Sequence, residues 1–326
     1  FINGRIEKID FDYEKKDQIE IIDKSETINK FNNNNSLSDL NNAFTNKSFK
    51  ILVKNGYQLE KPLIIYHITN SDIWSKNINL RLDFELSKDS SLRLIDLYND
   101  TSEKNFLNIF YNFDLKENAV LKNYKVDKLE NKNIKYSFNN IEQDKNSISE
   151  TFILSSGSNF FKNEINCNLK GGYSSAFVNG ILSLNNDKHH EIRTIINHLT
   201  ENTKSYQLIK SVLDDNSKSV YQGKIFVNSE AQKTDGYQLS KAILLNKDSE
   251  FNAKPELEIY ADDVKCSHGS ASGSLSEDSI FYLMSRGLNY QQSRELLING
   301  FLLDVVENIT DSEIKNLIKN MIGIKE

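Results

Sequence analysis

The sequence predicts a mainly β protein that ends in a short helical tail, and three observations carry that prediction. Apolar residues alternate with polar ones in many short stretches, most cleanly at Ile78, Leu80, Leu82, Phe84 and Leu86. Clusters of Gly, Asn, Asp and Ser separate these stretches, and almost no helical periodicity interrupts them before His268. After Gly273 the apolar spacing becomes that of a helix. Alternation gathers side chains on one buried face of a strand, whereas spacings of three and four do so on a helix.

The lead-in, residues 1–46, is polar and broken, with a run of asparagines from Asn32 to Asn35, and reads as irregular. The chain opens at Phe1 without a methionine, from which we expect a trimmed start. From Phe49 period two sets in, with Phe49, Ile51 and Val53. It returns at Ile109, Tyr111, Phe113 and Leu115, and again at Ile165, Cys167 and Leu169. Shorter pieces follow at Ile192–Thr194–Ile196, Ile225–Val227, Ile243–Leu245, Leu257–Ile259 and Val264–Cys266. A long series of short strands leaves a sandwich, a barrel, a propeller or a β-helix. No strict WD or hexapeptide repeat is present, so periodicity leaves that choice open. Tyr57, Tyr66, Phe84, Phe110 and Tyr111 alternate with polar residues and read as core or cross-strand pairs.

In the tail, Ser274 with Glu277 fits a capping box, with Ile280, Phe281 and Met284 behind it and Gly287 as the C′ residue. Asn289 and Gln292 mark a second start, leading into Leu296, Leu297, Phe301, Val305 and Ile309. Thr310 with Glu313 fits a third box, followed by Ile314, Leu317, Ile318 and Met321.

Composition excludes several classes. The 326 residues are 38% hydrophobic and 26% charged, which suits a folded chain. A net charge of −6 gives no basic excess for nucleic acid. No apolar run approaches the roughly 20 residues that cross a bilayer, so no membrane partner is expected. Two cysteines, Cys167 and Cys266, are too few for a disulfide framework and suit a reducing, cytoplasmic setting. Gly171-Gly172 lacks the strand–loop–helix setting of a phosphate loop, and neither H-E-x-x-H nor a Ser-His-Asp order occurs. ATP hydrolysis is therefore expected of a partner.

Cys266 and His268 are the strongest chemical candidates. Two apart on a strand, they share a face, and thiolate beside imidazole suits iron or a nascent cluster. The competing reading is that both fill the interior, where cysteine is common. His189 and His190 would point to opposite faces and hold no ion together, so they and His198 read as turn or strand-end residues. Cys167, between Ile165 and Leu169, reads as core.

Lys254-Pro255-Glu256-Leu257-Glu258-Ile259-Tyr260-Ala261-Asp262-Asp263-Val264-Lys265-Cys266-Ser267-His268-Gly269 and Phe281-Tyr282-Leu283-Met284-Ser285-Arg286-Gly287 resemble the C-terminal core of the SufB/SufD family. Gly223-Lys224-Ile225-Phe226-Val227, Ala231-Gln232-Lys233-Thr234-Asp235 and the H-x-x-x-R-T-x-x-x-H spacing of His189 to His198 are similar to further segments of it. Within the family the chain resembles the SufD branch. SufB carries a scaffold cysteine near the stretch matching Gln238–Leu245 and glutamates beside the histidine matching His268, and neither occurs here.

That resemblance implies a right-handed parallel β-helix core over 47–273, with a C-terminal helical segment over 274–326 and a usual N-terminal helical region missing. It implies a non-catalytic subunit of the SufB–SufC–SufD complex for iron–sulfur cluster assembly. The β-helix end would pair with SufB, and the helices would dock the SufC ATPase, with Phe281, Tyr282, Arg286, Leu296 and Phe301 as candidate contacts. Cys266 and His268 would contribute to a transient iron or iron–sulfur site completed by SufB, with no cofactor tightly bound in isolation. An isolated chain would pair its open end with a second copy. Two alternatives stand: SufB itself, and a β-helix enzyme acting on polysaccharide. The latter needs an outer groove with clustered carboxylates, calcium ligands or a basic residue as proton acceptor, while Asp214-Asp215 and Asp262-Asp263 read as isolated turn pairs.

Overall fold

The period-two stretches become strands of similar length that stack in parallel register. The computed structural model describes residues 1–10, 16–24, 35–45, 47–70, 72–73 and 75–324. The lead-in contributes β1 (Ile19–Asp23) and α1 (Ser36–Phe44). Each coil then supplies two strands. The first four coils are β2 (Ser48–Val53) with β3 (Leu63–Thr69), β4 (Asn77–Leu86) with β5 (Ser91–Asp100), β6 (Phe106–Leu115) with β7 (Val120–Asp127), and β8 (Ile134–Gln143) with β9 (Ile148–Ser155). Next come β10 (Phe160–Leu169) with β11 (Ser175–Leu184), β12 (His189–His198) with β13 (Lys204–Leu213), β14 (Lys218–Val227) with β15 (Asp235–Leu244), and β16 (Glu250–Ile259) with β17 (Lys265–Gly273). Even-numbered strands, with β1 antiparallel at one edge, form a nine-stranded sheet; odd-numbered ones form an eight-stranded sheet. The expected β-helix is what the chain forms.

The coils turn at a corner whose residue adopts the left-handed region: Asp89 (φ 57°), Asn118 (φ 60°), Asn146 (φ 58°) and Asn202 (φ 58°). Asp and Asn tolerate that region better than other side chains. They also stack, Asn118 donating to Asp89 at 2.6 Å and Asn146 to Asn118 at 3.0 Å, across 29 and 28 residues of chain. In several coils the next position holds a buried hydroxyl that closes onto the carbonyl three residues back, as in Ser147 onto Asp144 (2.6 Å), Ser174 onto Gly171 (2.7 Å) and Thr234 onto Ala231 (2.8 Å), whereas Ala119 follows Asn118. This coil repeat escaped the sequence reading because its length drifts and its residues vary.

At the same corner, a Cβ on Gly171 would lie 2.0 Å from the backbone nitrogen of Lys145 in the coil below. Gly171→Ala must therefore spread two coils, and we expect a loss of about 1–3 kcal/mol, the usual penalty of overpacking. Thermal denaturation checks this, and an unchanged midpoint would mean the corner relaxes freely.

The helices explain which strand faces are apolar. The tail contains α2 (Glu277–Ser285), α3 (Tyr290–Glu307) and α4 (Ser312–Met321). Leu302, Val305 and Val306 of α3, Ile309, and Ile314 and Ile318 of α4 cover the outer face of the eight-stranded sheet at Ile95, Tyr124, Phe152 and Ile181. Each such side chain contributes roughly 1.5–3 kcal/mol of burial. On the other sheet α1 sits over Phe110, Tyr136 and Phe138, and its Asn41 donates to the carbonyls of Leu80 (3.3 Å) and Asn108 (2.8 Å).

Several expectations are corrected. The lead-in, read as irregular, holds a strand and a helix in its described residues; Asn32 to Asn34 lie outside them. Asn35 caps α1 with its side chain, a local signal hidden inside a run of asparagines. The cap of α2 is Ser276, not Ser274, and that of α4 is Asp311, because Thr310 is drawn away to Glu150 at 2.8 Å. Asn289 and Gln292 do form the capping box of α3, and Gly287 takes the positive φ of a C′ residue. Of the aromatics read as core or cross-strand pairs, Tyr66 is exposed, while Phe84, Phe110 and Tyr111 are buried.

Candidate functional site

The last coil leaves the β-helix open. Among the described residues β16 pairs only with β14, and β17 only with β15, so each keeps one unpaired parallel edge. The register aligns Cys266 with Gly236 and His268 with Gln238. Gly236 and Gln238 face the buried interior, so Cys266 and His268 share the inward side of the final rung. Cys266 is half-buried among Leu257, Val264 and Ile225, with its Sγ 3.4 Å from where a Cβ of Gly236 would sit. His268 is exposed at the mouth. Burial pushes the Cys266 thiol above its usual range, with a backbone hydrogen bond at Gly236 acting in the opposite sense. A metal arriving there would displace the thiol proton, as ligation requires.

The pair is thus neither wholly core nor a finished site. Among the described residues, no three His, Cys, Asp or Glu side chains converge to hold a metal. A thiol and an imidazole on one edge offer two side chains of the kinds that ligate transition metals, too few to close a site by themselves.

Beneath His268 lies a polar column that sequence reasoning missed. Tyr221 OH donates to Gln207 Oε1 at 3.1 Å and lies 3.3 Å from the Thr194 hydroxyl. Above it, Gln238 is fully buried; its Nε2 donates to the Glu256 carbonyl at 3.4 Å, while its Oε1 has no partner. Only the strand register brings Gln238 under His268, and no local pattern signals it.

The other histidines divide as geometry required. His190 and His198 point inward and are buried, whereas His189 faces outward, 3.1 Å from Glu191. His190 contacts Ser155 Oγ at 2.8 Å and the Ser158 carbonyl at 2.7 Å; His198 contacts Thr203 Oγ1 at 2.7 Å and Ser205 Oγ at 2.9 Å. Cys167 is core, and burial raises its thiol far above the usual range.

A second surface lies on the helices. Phe281 is 74% exposed, Leu296 51%, and Tyr282, Met284 and Tyr290 are also exposed. Arg286 stacks over the Tyr282 ring at 5.2 Å. Four of the five candidate contacts thus stand at the surface. Phe301 does not share that patch: it packs with the helix–sheet cluster, under the Lys210 ammonium at 4.5 Å from its ring. A third feature is an outer groove of about 490 Å³ beside a column of Phe177, Tyr206 and Tyr237, with ring centroids 6.4 and 5.9 Å apart. Its lining carries one carboxylate, Glu150, where glycoside hydrolysis needs two.

No helix of the described residues is long and apolar enough to cross a membrane. A family model described as the SUF system FeS cluster assembly, SufBD core domain, matches residues 67–301. The iron–sulfur cluster assembly protein SufD of Escherichia coli (strain K12) is 29% identical over 280 residues, 84% of this chain and 65% of that protein. Protein ABCI7, chloroplastic, of Arabidopsis thaliana is 43% identical over 77 residues, 24% of this chain and 16% of that protein. The SufD protein of Plasmodium falciparum (isolate 3D7) is 35% identical over 74 residues, 22% of this chain and 5% of that protein. The chain therefore spans less than two thirds of the length of each of these relatives.

Proposed function

Because the chain belongs to the SufBD core family, we propose that it is a SufD-type, non-catalytic subunit of an iron–sulfur cluster assembly complex with SufB and SufC. The observation that carries this reading is the open end, where two unpaired parallel edges flank an inward Cys266–His268 pair. Unpaired edges template pairing with another chain. A SufB subunit bearing its own edge strands would continue the β-helix and supply the missing ligands for iron or a nascent cluster, which is cargo of the complex. An isolated chain would satisfy the same edges with a second copy.

The exposed patch of Phe281, Tyr282, Met284 and Leu296 is the proposed dock for the SufC ATPase. Aromatic and Arg side chains carry binding energy at such surfaces, and Arg286 lies against Tyr282.

Co-expression with SufB and SufC from the same organism tests the proposal. We expect a three-subunit complex in which His268→Ala leaves assembly intact and lowers iron–sulfur content. An intact complex with unchanged content would return His268 to a packing role. Failure of any complex to form would overturn the reading as a whole.

A further inference from the structure

Gln238 presents an acceptor with no donor. Its side chain is fully buried, anchored through Nε2 at the Glu256 carbonyl, and its Oε1 is unpartnered. Leaving such a group unpaired in the interior is costly, so a native chain that keeps one calls for an explanation. The space around it is reserved: a Cβ on Gly223 would meet Gln238 Oε1 at 2.2 Å and Tyr221 OH at 2.5 Å. Tyr221 OH is already committed to Gln207. One rung higher, on the same inward side, the register sets His268, neither of whose ring nitrogens has a hydrogen-bond partner among the described residues. Neighbouring strands lie about 4.8 Å apart, so a ring turned inward would run alongside the Gln238 side chain.

We infer that Gln238 is the positioning residue of His268: its Oε1 accepts one ring N–H, fixing the tautomer and leaving the other nitrogen aimed out of the open coil. Histidine ligands are commonly held this way by an outer acceptor, and losing it typically weakens metal binding about 10–100-fold. The inference rests on the proposed ligand role of His268, but its first test needs no metal.

That test is the tautomer ratio of His268 in the full chain carrying ¹⁵N-histidine, read by NMR above the imidazole titration range, with His268→Ala to assign the signal. Gln238→Met, close in size but without the acceptor, should change the ratio about fivefold, the equivalent of one ordinary hydrogen bond. Gln238→Glu, which keeps an oxygen at the same reach, should restore it. Gly223→Ala, which drives Oε1 aside while leaving Gln238 in place, should move it in the Gln238→Met direction. A ratio indifferent to Gln238→Met and Gly223→Ala overturns the inference. Titration of the complex with Co(II) separates the two readings. Wild type should bind at least about tenfold more tightly than Gln238→Met. If the tautomer moves while wild type binds no cobalt, Gln238 still orients His268 and only the ligand reading fails.

Discussion

Asp96→Ala is expected to lower folding stability by about 3–5 kcal/mol, the usual effect of stranding one partner of a buried ion pair. Asp96 is fully buried on the inward side of β5, with Oδ1 2.6 Å from His67 Nε2 and Oδ2 2.8 Å from Lys125 Nζ, and it also accepts from Tyr111 OH. The Lys125 ammonium sits 3.4 Å from the Tyr111 ring centroid and is itself buried. Burial pushes the Asp96 carboxyl up, but Lys125 and His67 outweigh it and hold it well below the usual carboxylate range. Removing the carboxylate therefore leaves an ammonium in the interior with no counter-ion. Lys125→Met with Asp96→Leu removes both charges at similar volume, and replacing a whole buried pair is often near neutral. Urea denaturation should show a large drop in midpoint for the single variant and a much smaller one for the double, at similar slope. Equal losses would mean that shape rather than charge pairing holds this part of the interior.

The same network shows where the sequence was legible and where it was not. Ile78 to Leu86 reads at sight because one side of β4 faces the interior and the other carries polar residues. β7 inverts that logic. Its Tyr124 and Val126 face outward beneath the C-terminal helices, while Asn123, Lys125 and Asp127 line the interior. A sheet covered on both faces breaks the rule that charge marks the solvent side. Lys125 and Lys135 therefore look like surface residues until the fold is known. Lys135 in fact sits 2.6 Å from Asp100 and 2.7 Å from Asp127, with nothing open to water.

The candidate site divides similarly. That Cys266 and His268 share a face follows from spacing alone, and their partial exposure follows from standing on the last rung. Gln238 was out of reach because its relation to His268 exists only through the pairing of β15 with β17. Phe301 lies apart from the exposed patch for a physical reason. On a helix bound along one side to a sheet, the stripe through Phe301, Leu302, Val305 and Ile309 is anchored, and the outward side at Leu296 remains for a partner.

Stability should fall as pH drops from about 6.5 to about 4, and His190 and His198 should cause most of the loss. Burial pushes both imidazoles down to about 4, with Asp127 partly opposing this at His190. In that window the unfolded chain binds protons that the folded chain refuses, so acid favours unfolding. At about 1.4 kcal/mol for each unit of separation, each histidine accounts for roughly 3 kcal/mol once the pH lies below both values. The depressed carboxyls of Asp96 and Asp127 act in a different window. Their contribution is present above the ordinary aspartate range and is lost only below it. Asp83, raised mainly by burial, acts in the opposite sense near the lower limit. Denaturant midpoints measured in steps from pH 7 to pH 4 should therefore show a steep decline in wild type. His190→Gln with His198→Gln should start lower, having lost the contacts to Ser155, Ser158, Thr203 and Ser205, yet decline far less. A decline just as steep in the double variant would assign the proton uptake to groups other than His190 and His198.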